Sequence, residues 1–521
     1  MNPEYPTPSA DLPPSSSAPA PVRERVKSRS VMAPPVRIGD EAPGKIEHIG
    51  RRVRVTPQAR KYALWELARR AGVTPDWFQT WKIRNQADGM LVEVLTGEAP
   101  EHSRQLFFPH ASPEALWRLS SGQIFVERKT WMYEPEAPVK ELVPDFAVPF
   151  SCLSRRTKPL FVPTAPNRIE CTIDLPLTTL LVLSRWEESI AEHRDGHGRF
   201  TAGQSVAFRE GYLRRPIVDE YGLALEQALN LMVPTWQPPE RRLRAKLSHD
   251  ADHVGIPFRW RNVMRHAIRY KNPRDAWREL WGWMPGKTPV DLQALREIVT
   301  LTRESKLMSA VYWMACAPSA QDSGYDPRHR KVRALIAWLR EQNVESGVQP
   351  GYTTFRSVER LRREVTALRE VLGDEPMGGR QHYLRWCPET WIHWETCGLA
   401  YDSTLCHADH VGFRAGTCIP YRPWLLALNR EADLLEVPLL VMDRTLLGYM
   451  CLSERQSVAA IKDCVARCQA VGGVFTAVWH NNALLEPRYR RVYQGLLNSV
   501  DGAQEFDWRS EAKALASGPL A

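Results

Sequence analysis

The sequence predicts an α/β protein, with a parallel sheet or (β/α) barrel over its C-terminal half and a smaller α+β region before it. Three observations carry this expectation. From about residue 240 apolar strand-like runs alternate with amphipathic helical ones, the pattern of parallel βα units. Between about 80 and 240, short apolar runs such as MLVEVL, QLFF and GQIFVER mix with helical stretches instead. Polar residues suited to chemistry recur just beyond several of the C-terminal strands, where parallel α/β folds place their sites.

The chain opens on a stretch rich in Pro, Ser and Ala with almost no large apolar residues. It cannot bury enough surface to offset its ordering entropy, so residues 1–40 are expected to be a disordered tail. Thr56-Pro57 reads as a helix start, Thr as N-cap and Pro at the first helical position, with Tyr62, Leu64, Leu67, Ala68 and Ala71 as the apolar stripe and Gly72 as the stop. TTLLVLSRWEESIAEHRDGHGRF reads as an apolar helix running into a polar turn, and the N-terminal region is expected to span 41–238. RLRAKLSHD then reads as a strand entering a charged loop. ESKLMSAVYWMA, VESGVQ, LEVPLLVMD and VFTAVWH are further strand candidates. RSVERLRREVTALREVLG has apolar residues at helical spacing and ends at Gly373. SERQSVAAIKDCVARCQAVGG starts at a Ser cap and stops at a Gly pair. This second region is expected to cover 239–500, and 501–521 to form a C-terminal tail.

Composition narrows the function classes. A hydrophobic content of 43% and a charged content of 25% fit a soluble globular chain long enough for two or three cores. The net charge of +9 comes from 69 basic and 60 acidic residues mixed along the whole chain. No basic block resembles a nucleic-acid-binding arm, so no nucleic-acid partner is expected. The longest apolar stretch, IDLPLTTLLVLS, is too short and too interrupted to span a bilayer. Scattered cysteines without a CxxC pair, and a start without a signal-peptide pattern, lead to the expectation of a reducing, cytoplasmic setting.

The stretch LSHDADHVG carries the first constellation. Asp250 and Asp252 point the same way from an extended segment, and two such carboxylates repel unless a cation or a shared proton offsets them. One could hold a divalent ion while the other takes a proton from water; an ordinary capping turn is the bland alternative. In YDSTLCHADHVGFRAGTC, Arg414 stands between Gly412 and Gly416, where the backbone can bend closely and the guanidinium can grip a carboxylate bidentately. His407 and His410 lie nearby. His480 ends an apolar strand, as a general acid would, though a structural histidine fits equally well. GGRQHYLRW presents His382 and Arg385 and either lines a site or forms an amphipathic strand.

Together LLVLSRWEES, DGHGRF, GYLRRPIVDEYG, LSHDADH, GGRQHYLRW, PETW, YDSTLCHADHVGFRAGTC, PLLVMDRTL and GGVFTAVWHN resemble the polysaccharide deacetylase superfamily (NodB homology, carbohydrate esterase family 4). The resemblance is closer to its branch with an extra N-terminal domain, found in bacterial polysaccharide gene clusters, and covers roughly residues 160–495. It implies a distorted NodB-like (β/α) barrel with one divalent metal, usually zinc. It also implies a hydrolase that removes acetyl groups from an N-acetylated sugar or glycan in exopolysaccharide biosynthesis. By this resemblance Asp250 is the catalytic base, Asp252 a metal ligand, Arg414 the arginine orienting the base, His480 the general acid and Asp443 its supporting aspartate. One motif departs. Where the family supplies histidine ligands after the third strand, this chain reads GVQPGYTTF, with Gln349 in place of the first histidine and Thr353 four residues later. An amide oxygen is a poor zinc ligand beside neutral imidazole. His382, His253 or His410 would have to fill the gap, with His382 and His253 the expected ligands. Gln349, Tyr352, Arg385 and His410 are expected to face the substrate. The alternative is a catalytically silent NodB-fold protein that binds glycan or scaffolds a biosynthetic complex.

Overall fold

A computed structural model describes residues 55–95, 103–150, 158–256 and 287–516, with parts of 263–284 between them. The expected N-terminal tail lies outside the described residues. From residue 48 onward the chain forms one compact unit.

The first helix, α1 (Pro57–Arg70), starts as the sequence predicts: the Thr56 side chain accepts from the Ala59 N–H at 3.2 Å, and Gly72, at φ +92°, follows its end. Strands β1 (Lys82–Asn85), β2 (Gly89–Leu95), β3 (Ser103–Pro109), β4 (Phe161–Ala165) and β5 (Arg168–Cys171) build a five-stranded sheet in the order β1-β2-β3-β5-β4. Only the β3–β5 pair in it is parallel. Helix α2 (Leu175–Leu183) is buried along its whole length because it is apolar all round, and it packs on α1 together with α3 (Ile217–Met232).

Beyond α3 the topology becomes parallel. The strands are β6 (Arg244–Asp250), β7 (Ser309–Trp313) and β8 (Glu345–Val348), then β9 (Tyr401–Asp402), β10 (Leu435–Glu436), β11 (Val441–Met442) and β12 (Val474–Val478). Their main ladder runs β8-β7-β6-β12-β11, every neighbour parallel. On the β8 side it continues through single bridges, Val348 to Gly379 and Gly379 to Asp402, reaching the parallel β9–β10 pair. A Cβ on Gly379 would lie 1.8 Å from the Val348 carbonyl oxygen, so only glycine lets the chain make this step. Among the described residues no pairing joins β10 to β11, so the ladder is open there. The run LEVPLLVMD gives two short strands instead of one, because Pro438 has no N–H to offer a ladder.

The helices between the strands include α4 (Val290–Glu304), α5 (Arg330–Glu341), α6 (Val358–Leu372), α7 (Glu454–Val471) and α8 (Pro487–Ser499). Gly373 ends α6 and Ser453 caps α7, whose stop is Gly472 at φ +66°. The stretch read as a C-terminal tail instead contains β13 (Gln504–Glu505), paired with β6, and α9 (Trp508–Ala516). Two aromatics order it: Phe506 and Trp508 bury against Tyr312, Tyr401 and Val474, and Arg244 pairs with Glu511 at 2.6 Å.

The N-terminal helices grip the 401–418 loop through buried charges. Glu188 receives Arg414 bidentately at 2.6 and 2.9 Å and Arg185 from the other side, all three side chains buried. Asp219 accepts from Arg70 at 2.7 Å, the Thr417 hydroxyl at 2.5 Å and the Cys418 N–H at 2.8 Å. Burial alone would raise the Glu188 carboxyl, but the Arg414 and Arg185 guanidiniums outweigh it and hold it at about 2. This lowered value stabilises the fold above the ordinary Glu range of about 4.3, and the contribution disappears as pH falls through 2. Glu188→Gln is therefore expected to cost about 3–5 kcal/mol at pH 7, because it strands two buried cations. Urea unfolding at pH 7 and pH 3 should show the gap between variant and wild type narrowing in acid.

Candidate active site

The polar side chains that end the parallel strands converge at one end of the sheet. Asp250 closes β6 and is buried, and Asp252 follows two residues on. Asp322 comes from the loop after β7, Gln349 directly follows β8, and Arg380 and His382 follow the Gly379 bridge. Asp443 follows β11 and His480 follows β12.

Each carboxylate has its own set of partners. Arg380 Nη1 donates to Asp250 Oδ1 at 2.8 Å, and its Nη2 donates to the Ser248 hydroxyl at 2.9 Å. Asp252 faces three nitrogens. Gln349 Nε2 donates to its Oδ1 at 2.7 Å; His382 Nε2 stands 3.6 Å from the same oxygen, and His480 Nε2 3.5 Å from Oδ2. Each histidine is backed by a second carboxylate on its other ring nitrogen: His480 Nδ1 contacts Asp443 Oδ1 at 2.7 Å, and His382 Nδ1 contacts Asp322 Oδ1 at 2.7 Å. Asp322 is fixed in turn by the Tyr352 N–H at 2.9 Å and the Ser319 hydroxyl at 2.8 Å.

The electrostatics follow from this arrangement. Burial raises the Asp250 carboxyl, with Arg380 opposing it. Burial would raise Asp252 as well, but the His480 and His382 rings outweigh it and pull its carboxyl down to about 2. Burial would lower His480, yet Asp443 and then Asp252 reverse this and lift it to about 9. His382 is raised against its burial by Asp252 and Asp322. His249, the other histidine of LSHDADH, is buried between the Trp479 carbonyl and the Ser309 hydroxyl, and burial pushes it down to about 4. It is a neutral strut in the core.

The structure thus brings together Asp250, Asp252, Gln349, His382, Asp443 and His480. His253 stands next to Asp252, half-buried, with its carbonyl accepting from Asn481 at 2.7 Å. Tyr352 and Arg385 line the rim: Arg385 Nη1 donates to the Tyr352 carbonyl at 2.6 Å, its guanidinium 3.9 Å from the Tyr352 ring centre and 4.0 Å from that of Phe355. Two expected members lie elsewhere. Arg414 does grip a carboxylate bidentately, but the carboxylate is Glu188, and the guanidinium against Asp250 belongs to Arg380. The reason is packing: a Cβ on Gly412 would lie 2.6 Å from the Leu213 carbonyl oxygen, so this loop is pressed against the N-terminal region and Arg414 is enclosed there. His410 sits against the Phe208 ring at 4.7 Å, with Asp409 Oδ2 at 3.4 Å.

Sequence reasoning missed Arg380 and Asp322. The adjacent glycines before Arg380 mark a close backbone approach, and Asp322 obeys the same strand-end rule as the others, so both carried a readable signal.

Among the described residues no group of three or more His, Cys, Asp or Glu side chains has metal-holding geometry. Two tetrahedral zinc ligands stand about 3.4 Å apart, and the 3.6 Å between His382 Nε2 and Asp252 Oδ1 is close to that spacing. Asp322 behind His382 supplies the outer carboxylate that metal-bound histidines favour. Gln349 Oε1 is buried with no hydrogen-bond partner among the described residues. These residues fit an ion held by Asp252 and His382 with an amide oxygen beside them, a weaker set than one with further histidines.

Residues 105–234 match the model of a family of unknown function, DUF7033. A search of curated proteins gave no match. Solved structures similar to this chain include a protein assigned provisionally as a polysaccharide deacetylase from Mycobacterium smegmatis, at 14% identity and a TM-score of 0.38 over 54% of this chain and 93% of that one. The PuuE allantoinase is similar at 13% identity and a TM-score of 0.38, over 55% of this chain and 94% of that one. A further such deacetylase, from Pseudomonas aeruginosa PAO1, shows 14% identity and a TM-score of 0.37 over 55% of this chain and 95% of that one. No described helix is long and apolar enough to cross a membrane.

Proposed function

We propose that this chain is an amidohydrolase that removes an acetyl group from an N-acetylated sugar or glycan, with residues 239–500 as a distorted (β/α) barrel and 41–238 as an N-terminal region whose described residues, from 55 onward, pack on it. One observation carries the reading. Asp252 stands between two histidines, each backed by its own aspartate, beside a second buried carboxylate held by Arg380. The set offers a base, an acid and a cation-binding carboxylate together at the strand ends.

In this reading Asp250 takes the proton from the attacking water. Burial holds its carboxyl above the usual range, toward the pH at which it must work, and Arg380 fixes its orientation. The water oxygen bonds to the acetyl carbon, the C–N bond breaks, and acetate and the amine leave. His480 donates the proton the departing nitrogen needs. Asp443 on Nδ1 fixes the ring so that Nε2 faces the site, and at about 9 the imidazole is charged at neutral pH. Asp252 and His382, with Gln349 beside them, would hold a divalent ion, for which zinc is the candidate. When bound it supplies polarisation of the amide carbonyl and acidification of water.

A second reading, a silent glycan-binding protein, is favoured by Gln349: its amide N–H occupies the Asp252 oxygen at 2.7 Å, where a histidine ligand would leave that oxygen to the ion. Asp250→Asn is expected to lower acetate release from N-acetylated sugars by about 10²–10⁴-fold with the circular dichroism unchanged. Retained turnover would remove Asp250 from the mechanism. Elemental analysis should find a divalent ion in the wild type that is lost in Asp252→Ala and weakened in His382→Ala, while Gln349→His tightens it. Sugar binding without acetate release or metal uptake would establish the second reading.

A further inference from the structure

The segment Asp195–Phe200 belongs to the region that matches the family of unknown function, yet its contacts are with the rim of the candidate active site. The loop is tightly self-braced. Asp195 Oδ1 accepts from the His197 N–H at 2.9 Å and the Arg199 N–H at 2.8 Å, and Asp195 Oδ2 holds Arg199 Nε at 2.8 Å. Gly198, at φ +72°, turns the loop against Arg385, whose Nη2 would stand 3.3 Å from a Cβ there. Arg199, buried, then reaches across to the Tyr383 carbonyl at 3.2 Å and the Tyr449 hydroxyl at 3.3 Å.

What the loop braces is a backbone under strain. Tyr383 and Leu384 both take left-handed conformations, at φ +61° and +55°. Such non-glycine residues are strained and persist where the surroundings over-determine them, commonly at ligand sites. The strain turns the Tyr383 ring edge-on to His382, at 4.7 Å and 80°. From there a file of rings leads outward. His197 lies 4.9 Å from Tyr383, and Tyr352 is 5.2 Å from Tyr383 and 5.9 Å from His197. His197 Nδ1 and the Tyr352 hydroxyl are 3.1 Å apart. The three outer residues are half-buried.

We propose that the Asp195–Phe200 loop completes the substrate site, with His197, Tyr352 and Tyr383 forming a rigid wall that binds the pyranose ring next to the acetamido sugar. This inference rests on the deacetylase reading for the identity of the reacting sugar. Rigid rings that carry both apolar faces and polar edges suit a sugar, which presents C–H faces and hydroxyl rims. His197 contacts substrate, whereas Arg199 is a positioning residue acting through Tyr383. The N-terminal region thereby takes part in choosing which glycan is accepted.

The test titrates full-length Asp250→Asn protein calorimetrically with mono-, di- and tri-N-acetylchitooligosaccharides, in parallel with acetate release by the wild type. Affinity should rise with chain length, and adding His197→Ala should remove about tenfold of that gain, the size of one lost ring contact. His197→Phe, which keeps a ring, should retain most of it. An unchanged length dependence in His197→Ala, equal losses in the Phe and Ala variants, or no binding of any oligosaccharide would each overturn the wall. Acetate release with an unaltered length dependence would sink this inference alone. Length-dependent binding that needs His197 without acetate release would sink the deacetylase reading alone.

Discussion

Two carboxylates separated by one residue at the end of a buried strand cannot both remain ionised unless cations face them. That constraint organises the C-terminal half of this chain. Asp250 and Asp252 are fixed to β6 in the middle of the parallel ladder, so their partners must arrive from the ends of other strands. Arg380 reaches Asp250 only because the chain makes its single-residue bridge at Gly379 between β8 and β9. His480 reaches Asp252 from β12, the neighbour of β6, and His382 comes from just past the Gly379 bridge. The bridge at Gly379 and the charge balance of the site are therefore one requirement.

The same logic governs the other loop. The 401–418 segment leaves β9 at the site end of the sheet, and the N-terminal helices hold it through Glu188 and Asp219. Replacing water around three buried guanidiniums and two buried carboxylates is costly, and it is offset only when every partner is in place. Such a network is better suited to fixing one geometry than to adding stability. It makes the packing of the N-terminal region against the loop nearly all-or-none, and the Asp195–Phe200 loop inherits its position from that packing.

Much of this was legible in the residues. Apolar periodicity, caps and glycine stops located α1, α6 and α7, because those signals act within a few residues of one another. The strand-end rule found Asp250, Asp252, Asp443 and His480. What failed was partner choice. Arg414 between two glycines was read correctly as a guanidinium able to grip a carboxylate, but Glu188 and Asp250 are equally plausible partners when only spacing is known. Long-range pairing depends on which surfaces meet, and local sequence does not encode that. Arg380 was passed over in favour of His382 and Arg385 in the same stretch, although the glycine pair before it marks a place where the backbone approaches its neighbour too closely for a side chain. The C-terminal strand and helix were missed for a related reason: Phe506 and Trp508 are isolated in a polar run, and their apolar partners lie on β7, β9 and β12.

Gln349 shows how one side chain sets the balance at such a site. A neutral imidazole offers a lone pair and, once it binds a cation, nothing that competes for the neighbouring carboxylate. A primary amide offers both an oxygen and an N–H, and here the N–H has taken Asp252 Oδ1, leaving the oxygen buried without a hydrogen-bond partner among the described residues. Burying an acceptor unpaired costs about 1–3 kcal/mol. His382 completes the argument, since its tautomer is set by Asp322 so that Nε2 stays directed at Asp252. His382 is thus presented to Asp252 from the next strand position along the ladder, and its backbone neighbour, Tyr383, holds a left-handed conformation braced by a loop of the N-terminal region.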